Sequence, residues 1–298
     1  MTDRYTVEIT EDPSAFLAVA SAHLEVDPLL ATVVSTVTQR VLRQVEAGRP
    51  APEHPQWWAV VRDVADEVAG AAMRTAPFAP YPLFVLPMAE EAALALARAV
   101  HERGEEARGV NGCLPAAGVV AVETARLLGG TTRTSLHTRL FELRTLIEPR
   151  PVPGAARLAT GQDLDLCLAW LMAFGVDAAE QAGRDRSGGP SEAINPEDLL
   201  ERIVEERVLL WDVDGEVVHL TGFNAASFGV ARVGPVYTPR QHRGRGYASA
   251  GVAEASRRLL AAGARVCLFT DQANPTSNKI YVALGYEPVV DMANLVVD

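Results

Sequence analysis

Cysteine is scarce in this chain, and its placement excludes more than its number does. Cys113, Cys167 and Cys267 are odd in count, far apart and without C-x-x-C spacing. That argues against a disulfide framework and a zinc site, and predicts three buried, reduced thiols in a cytoplasmic, metal-free protein. Long hydrophobic runs are missing too: nothing approaches the ~18 residues of a membrane span. The opening MTDRYTVEITEDP has neither the basic nor the apolar region of a secretory signal. Excess basic charge is also absent, since the net charge is −11. An extended basic face for nucleic acid is therefore excluded, as is a membrane partner. What remains is globular. A hydrophobic content of 48% over 298 residues allows two domains, each with its own core.

Against the acidic background one stretch stands out. Residues 217–253 hold four arginines and no Asp or Glu. Inside it, residues 233–249 read VGPVYTPRQHRGRGYAS: a β-branched strand, a Gly/Arg loop and the start of a helix. Gly244 and Gly246 allow a tight turn and bring backbone N–H groups close to a ligand. The helix that follows points its free N–H groups and dipole at the same place. Arg240, Arg243 and Arg245 add charges suited to bidentate phosphate contact. The loop is not a Walker A sequence, because no Lys-Ser/Thr pair follows the second glycine. Nor is it a dinucleotide fingerprint, because position 249 is Ser where a third glycine is needed.

The hexapeptide Gln241-His242-Arg243-Gly244-Arg245-Gly246 resembles the Q/R-x-x-G-x-G/A coenzyme A pyrophosphate loop of the GNAT superfamily of N-acyltransferases. Taken alone the match is weak, since Gly-rich basic turns are common on surfaces. The following order strengthens it: a helix over Ala248–Ala262, a buried strand over Arg265–Thr270, an Asn-rich turn, then a helix carrying Ile280, Tyr281 and Leu284 and ending at Gly285. Two closing strands, Tyr286–Val290 and Leu295–Val297, complete it. The run NPTSNKIYVALGY is similar to the segment where the family places an Asn near the pantetheine and a Tyr near the thioester sulfur.

The resemblance implies an α/β (α+β) fold, a mixed twisted sheet with flanking helices. It implies acetyl-CoA as acyl donor and a small-molecule or protein amine as acceptor. Gln241, Arg243, Gly244, Arg245 and Gly246, with Tyr247, Ala248 and Ser249 at the helix start, would hold the coenzyme. Val236, Tyr237 and Thr238 would meet the pantetheine through their backbone if the strand splays from its neighbour. Asn274 and Asn278 would line the same arm, and Tyr281 would protonate the departing thiolate.

The amine itself, with a reference pKa of ~10, must lose a proton before attack, and a backbone N–H on the same strand could serve the oxyanion. His219, on a strand expected to face the substrate cleft, is a candidate base. No Glu or Asp lies on residues 228–238, so the base stays unassigned and a relayed water is favoured. Each residue has a duller reading. Tyr281 could be a core tyrosine, Asn274 a helix N-cap, Tyr247 a packing residue, His242 a solvated side chain and Asp271 a turn residue. Two function classes stand: an acetyl-CoA-dependent N-acyltransferase, and a non-catalytic acyl-CoA-binding sensor or scaffold. Homo-oligomerisation is left open.

Three prolines and a glycine between Glu148 and Gly154 mark a stiff linker over 149–154. They separate an N-terminal domain, 1–148, from a catalytic domain, 155–298. In the latter, a strand over Ala156–Ala159, a helix over Asp163–Ala182, a loop over 183–192 and a helix over Pro196–Glu205 precede a hairpin at 207–223. Its type I′ turn is Asp214-Gly215. The N-terminal half repeats this plan. Trp57–Thr75 matches the hairpin and Phe84–Met88 the loop-bearing strand. A helix (Glu90–Arg103), a strand (Gly109–Leu114) and a helix (Val119–Leu128) follow. Its loop, Pro87-Met88-Ala89-Glu90-Glu91, has no glycine or arginine, which makes this half a degenerate GNAT-like domain unable to hold coenzyme A. Ahead of it, Asp27-Pro28 reads as N-cap and N1 of a helix whose stripe runs from Leu29 to Leu42.

Overall fold

The computed structural model describes residues 4–181 and 195–298. The expected loop over 183–192 lies outside the described residues. The first ten elements are β1 (Thr6–Thr10), α1 (Pro13–Val26), α2 (Thr32–Glu46), β2 (Trp57–Arg62), β3 (Val68–Arg74), β4 (Leu83–Val85), α3 (Glu90–Glu102), β5 (Gly109–Cys113), α4 (Ala116–Leu128) and β6 (Thr132–Leu143). The same succession then recurs as β7 (Ala155–Leu158), α5 (Leu164–Gln181), α6 (Pro196–Val204), β8 (Val208–Val213), β9 (Glu216–Phe223), β10 (Val230–Tyr237), α7 (Tyr247–Ala261), β11 (Arg265–Asp271), α8 (Pro275–Ala283) and β12 (Tyr286–Val297). The duplication read from the sequence is thus present, and it begins earlier than the sequence indicated.

Two compact units result, 1–138 with 290–298, and 139–289. In the first, β1, β2, β3 and β4 pair antiparallel in turn, β4 pairs β5 in parallel, and β5 pairs the Met292–Val296 part of β12 antiparallel. Trp57, Leu83, Leu96 and Val120 form its core together with Leu295 and Val297. In the second, β7, β8, β9 and β10 pair antiparallel in turn and β10 pairs β11 in parallel. Phe141 and Leu143 of β6 enter that core beside Leu209, Val233 and Leu268. The Pro-rich run lies inside the second unit, where Pro153 O accepts a hydrogen bond from Trp211 Nε1 at 2.8 Å.

Several boundaries differ from the sequence reading. α1 starts at an Asp12-Pro13 pair, with Asp12 accepting from Ser14 N at 2.8 Å. The similar Asp27-Pro28 pair instead makes a turn in which Asp27 accepts from Leu30 N, and α2 begins at Thr32. The buried face of α2 is also more polar than the expected stripe: Thr32, Ser35 and Thr38 accompany Val34 and Val41. Thr38 accepts from Trp58 Nε1 at 2.8 Å, which explains a hydroxyl in that position. The two closing strands are one continuous strand, β12, because Leu114 N and residues Gly109–Cys113 keep the intervening backbone paired. The hairpin turn has positive φ at both Asp214 (53°) and Gly215 (88°), as a type I′ turn demands. All three cysteines are buried and free. Among the described residues, no helix is long and apolar enough to cross a membrane and no cluster of side chains could hold a metal.

Candidate active site

The site is built where β10 leaves β11. Their parallel pairing covers Val230–Arg265, Ala231–Val266 and Arg232–Cys267. On its other edge β10 stays on β9 through Val236–Thr221 and Tyr237–Leu220. Between Val233 and Val236 the register with β9 shifts, the mark of a bulge, which bends a strand and raises its twist. The edge that faced β11 is therefore unpaired from Val233 onward. Val236, Tyr237 and Thr238 follow this parting of the two strands.

The strand then runs through Pro239 and a 3-10 turn, Arg240–His242, into the glycine loop. Gly244 (φ 74°) and Gly246 (φ 87°) both sit in the left-handed region. A Cβ on Gly244 would meet nothing within 4 Å, so the backbone there faces open space. Gly246 is the N-cap of α7 and no side chain caps that helix. Among the described residues, the first N–H groups of α7, from Tyr247 to Ser249, therefore have no side-chain acceptor. Gln241 and Arg245 are exposed beside them, Ala248 and Ser249 half-buried, and Tyr247 buried.

The arginines divide differently from the sequence reading. Asp177, on α5 and only 8% exposed, gathers two of them. Arg240 donates to Asp177 Oδ1 from Nε (3.1 Å) and Nη2 (2.7 Å), and also reaches Glu180. Arg243 donates from Nη2 to Asp177 Oδ2 at 2.7 Å and from Nε to Thr238 O at 2.9 Å. Tyr237 adds its hydroxyl to Asp177 Oδ2 at 3.0 Å. Burial alone would raise the Asp177 pKa, but the Arg240 and Tyr237 hydrogen bonds and the Arg243 charge hold it below the usual carboxylate range. Arg240 and Arg243 thus fasten the loop root to α5, and their charge is already met. Arg245 makes no hydrogen bond or ion pair among the described residues, so the loop's uncompensated cation is Arg245.

His219 does not face a cleft. It is 1% exposed beneath α7, where a Cβ on Gly251 would stand 2.5 Å from its ring. Nδ1 lies 2.7 Å from Thr238 Oγ1 and Nε2 2.6 Å from Thr221 Oγ1. Burial lowers its pKa to about 3, against a weaker opposing hydrogen bond with the Tyr237 backbone. A neutral, doubly bonded and enclosed imidazole is not an available base, so this candidate is withdrawn. His242 is likewise buried, not solvated, with Nε2 3.4 Å from Glu216 Oε1.

On the far side of the splay, Asn274 is buried and caps α8 by accepting from Ser277 N at 3.1 Å. Asn278 Nδ2 donates to the carbonyls of Asp271 (3.1 Å), Gln272 (3.2 Å) and Asn274 (2.8 Å), which closes the β11–α8 turn. Asp271 accepts from Ala273 N at 2.9 Å, a turn role. Tyr281 is 7% exposed in the core of its unit, edge-on to Tyr286 with ring centroids 6.1 Å apart. Burial pushes its phenol up to about 12, partly opposed by a hydrogen bond with Ser277.

The sequence reading missed Asp177 and the α6 residue Arg202, whose Nη2 donates to Gly234 O at 3.1 Å inside the bulge. An acid that closes the apolar run LCLAWLMAFGV was the one available signal for Asp177. Nothing in the local sequence marks Arg202.

The comparisons with known proteins bear on this arrangement. The FR47-like protein family model matches residues 215–294, the segment from β9 to β12 that holds the splay and loop. No curated protein matches the sequence. Among solved structures, a Drosophila protein shares 12% identity at a TM-score of 0.65, with 99% of each chain covered. A GCN5-related N-acetyltransferase from Sphaerobacter thermophilus shares 19% identity at 0.57, covering 99% of this chain and 96% of that one. The tandem GNAT protein from the clavulanic acid biosynthesis pathway shares 14% identity at 0.53, with 98% of each covered. At such identities the likeness is one of fold. It defines the class: a mixed α/β GNAT fold, duplicated in tandem. The resemblance first visible in one loop therefore extends over both halves of this chain.

Proposed function

We propose that this chain is an N-acyltransferase that moves an acetyl or other acyl group from a coenzyme A thioester to an amine, in a ternary complex. The observation that carries this reading is the parting of β10 from β11 after Arg232–Cys267, on a strand that runs straight into the Gly244–Gly246 turn and the uncapped α7. An extended amide-bearing arm fits the unpaired strand edge, and a pyrophosphate fits the open turn. Acetyl-CoA supplies an activated acyl carbon; the residues here bind and orient it. Gln241, Gly244, Gly246, Tyr247, Ala248 and Ser249 present backbone N–H groups to the phosphates and Arg245 adds charge. Arg243 serves indirectly, by holding Thr238 O and Asp177. Val236, Tyr237 and Thr238 offer the strand edge to the pantetheine, and Asn274 and Asn278 shape the opposite wall through the α8 turn.

Tyr281 stays protonated at any physiological pH, so it can donate a hydrogen bond to the thiolate as it forms. With its pKa near 12, complete transfer to a thiolate of reference pKa ~8.5 is uphill. Its contribution is donation and not a full proton hand-over. The acceptor amine, from a small molecule or a protein, loses its proton to water, since β10 carries no carboxylate and His219 is enclosed. The first unit does not bind coenzyme in this reading. There β4 reaches α3 through Leu86–Ala89 alone, and α3 opens with Glu90 and Glu91. A Cβ on Gly112 of β5 would lie 2.1 Å from Val85 O, so the strands are pressed together where the second unit opens.

A non-catalytic acyl-CoA binder is the second reading, favoured by the deep burial of Tyr281 and the missing base. Acetyl-CoA offered with a broad amine panel separates the two. The enzyme releases free thiol with some amine; the binder gives a thermal shift and no thiol.

A further inference from the structure

The bulge in β10 is held from outside the sheet. Val233 pairs with Phe223 and Val236 with Thr221, so Gly234 and Pro235 together oppose the single residue Gly222. Pro235 has no N–H to tie the bulge to β9. Arg202, in the last turn of α6, reaches over and donates from Nη2 to Gly234 O at 3.1 Å. Gly222 makes the room: a Cβ there would stand 2.9 Å from Arg202 Nη2, 3.0 Å from Pro235 Cδ and 3.1 Å from Gly234 O. Leu171, Leu199, Val208 and Leu220 form an apolar crevice around this contact, which shields a charge-assisted hydrogen bond from water. The bulge begins at Gly234, two residues beyond Arg232, the last residue of β10 paired to β11.

We propose that Arg202 is a positioning residue: by gripping the Gly234 carbonyl across Gly222 it fixes the bulge, and so sets the direction in which the β11-facing edge of residues 233–238 meets the acyl thioester. The inference rests on the acyl-CoA reading above. Arg202 touches no reacting atom. It acts through the backbone, and its effect belongs to the orientation of the bound thioester more than to its retention, because the pyrophosphate loop lies beyond the bulge.

The test uses the full chain with Arg202→Gln, acetyl-CoA and an amine accepted by the parent protein. Loss of backbone alignment predicts a fall in kcat of about 10²-fold, with coenzyme A affinity by calorimetry within about twofold, a factor worth under ~0.5 kcal/mol. Hydrogen exchange on the ligand-free chain should quicken over 233–238 and nowhere else in the second unit. Gly222→Ala, which leaves Arg202 in place but intrudes on its contact, should give the same split, and carries the test if Arg202→Gln does not fold. Unchanged kcat with unchanged exchange overturns the inference, as does a loss of kcat that only tracks a loss of coenzyme affinity or of folded protein. A parent chain that binds no coenzyme A defeats the underlying reading instead, so the two failures are distinguishable.

Discussion

Arg243 Nη2 lies 2.7 Å from Asp177 Oδ2, sixty-six residues away in sequence. This pair changes the meaning of the arginine-rich loop. Of three cations that look alike in the sequence, two are bound to a helix before any phosphate arrives. Substitution should separate them. Arg245→Gln should weaken coenzyme A binding by roughly tenfold, the loss of one charge-assisted contact, with the melting temperature nearly unchanged. Arg240→Gln should lower the melting temperature more than the affinity. Calorimetry and thermal melts on both variants check the contrast.

Gly244→Val tests the loop itself. Its φ of 74° and its open surroundings mean that the added side chain strains the turn and fills the space a phosphate would use. The variant should remain folded by circular dichroism and lose coenzyme A affinity by more than about 100-fold, as two or more lost charged hydrogen bonds imply. Gly246 is a less clean site, because a Cβ there would also press on Val152 Cγ1 at 2.9 Å.

His219 predicts an acid limb of stability. Its folded pKa is lowered to about 3, while the unfolded imidazole titrates near its ordinary value. Above pH ~6.5 both states are neutral and the group contributes nothing. As pH falls below that value, the unfolded state takes a proton that the folded state refuses, and stability drops by up to ~1.4 kcal/mol per pH unit. His219→Gln should flatten this slope between pH 6 and 4, read by urea melts. His23 and His54 are also lowered by burial and act in the same direction, so only the difference between variant and parent belongs to His219.

Tyr281→Phe should lower kcat by about 10²–10³ if the phenol donates a hydrogen bond to the leaving thiolate, with acetyl-CoA affinity retained because the ring stays in its core. With the phenol near pH 12, an alkaline limb seen below pH 10 in the parent should persist in the variant. Near-parental turnover would leave Tyr281 as a core tyrosine and hand the thiolate to water.

The second unit was legible because its signals are local. Glycines at positive φ, an Asp-Gly hairpin and a Gly-ended helix can each be read within a few residues. Partnerships were not legible, since Asp177 with Arg243 and Arg202 with Gly234 depend on helices laid against a strand from outside the local sequence. The opening of the chain was lost for another reason. Asp12-Pro13 and Asp27-Pro28 carry the same cap signal, and only the packing of Phe16, Ala20 and Leu24 shows which pair starts a helix. β6 was missed because TRTSLHTRLFEL is mostly exposed over its first half and buried only from Leu140. β12 was split in two because Asp291 and Asn294, in the gap between the two expected strands, are poor strand formers.

The division of β6 and β12 between the units has a consequence for the order in which the chain is made. Residues 290–298 complete the first unit, and Ala293, Leu295 and Val297 belong to its core. The half that leaves the ribosome earliest must therefore wait, short of its last strand, until the second half has been synthesised. The part translated first is the part that closes last.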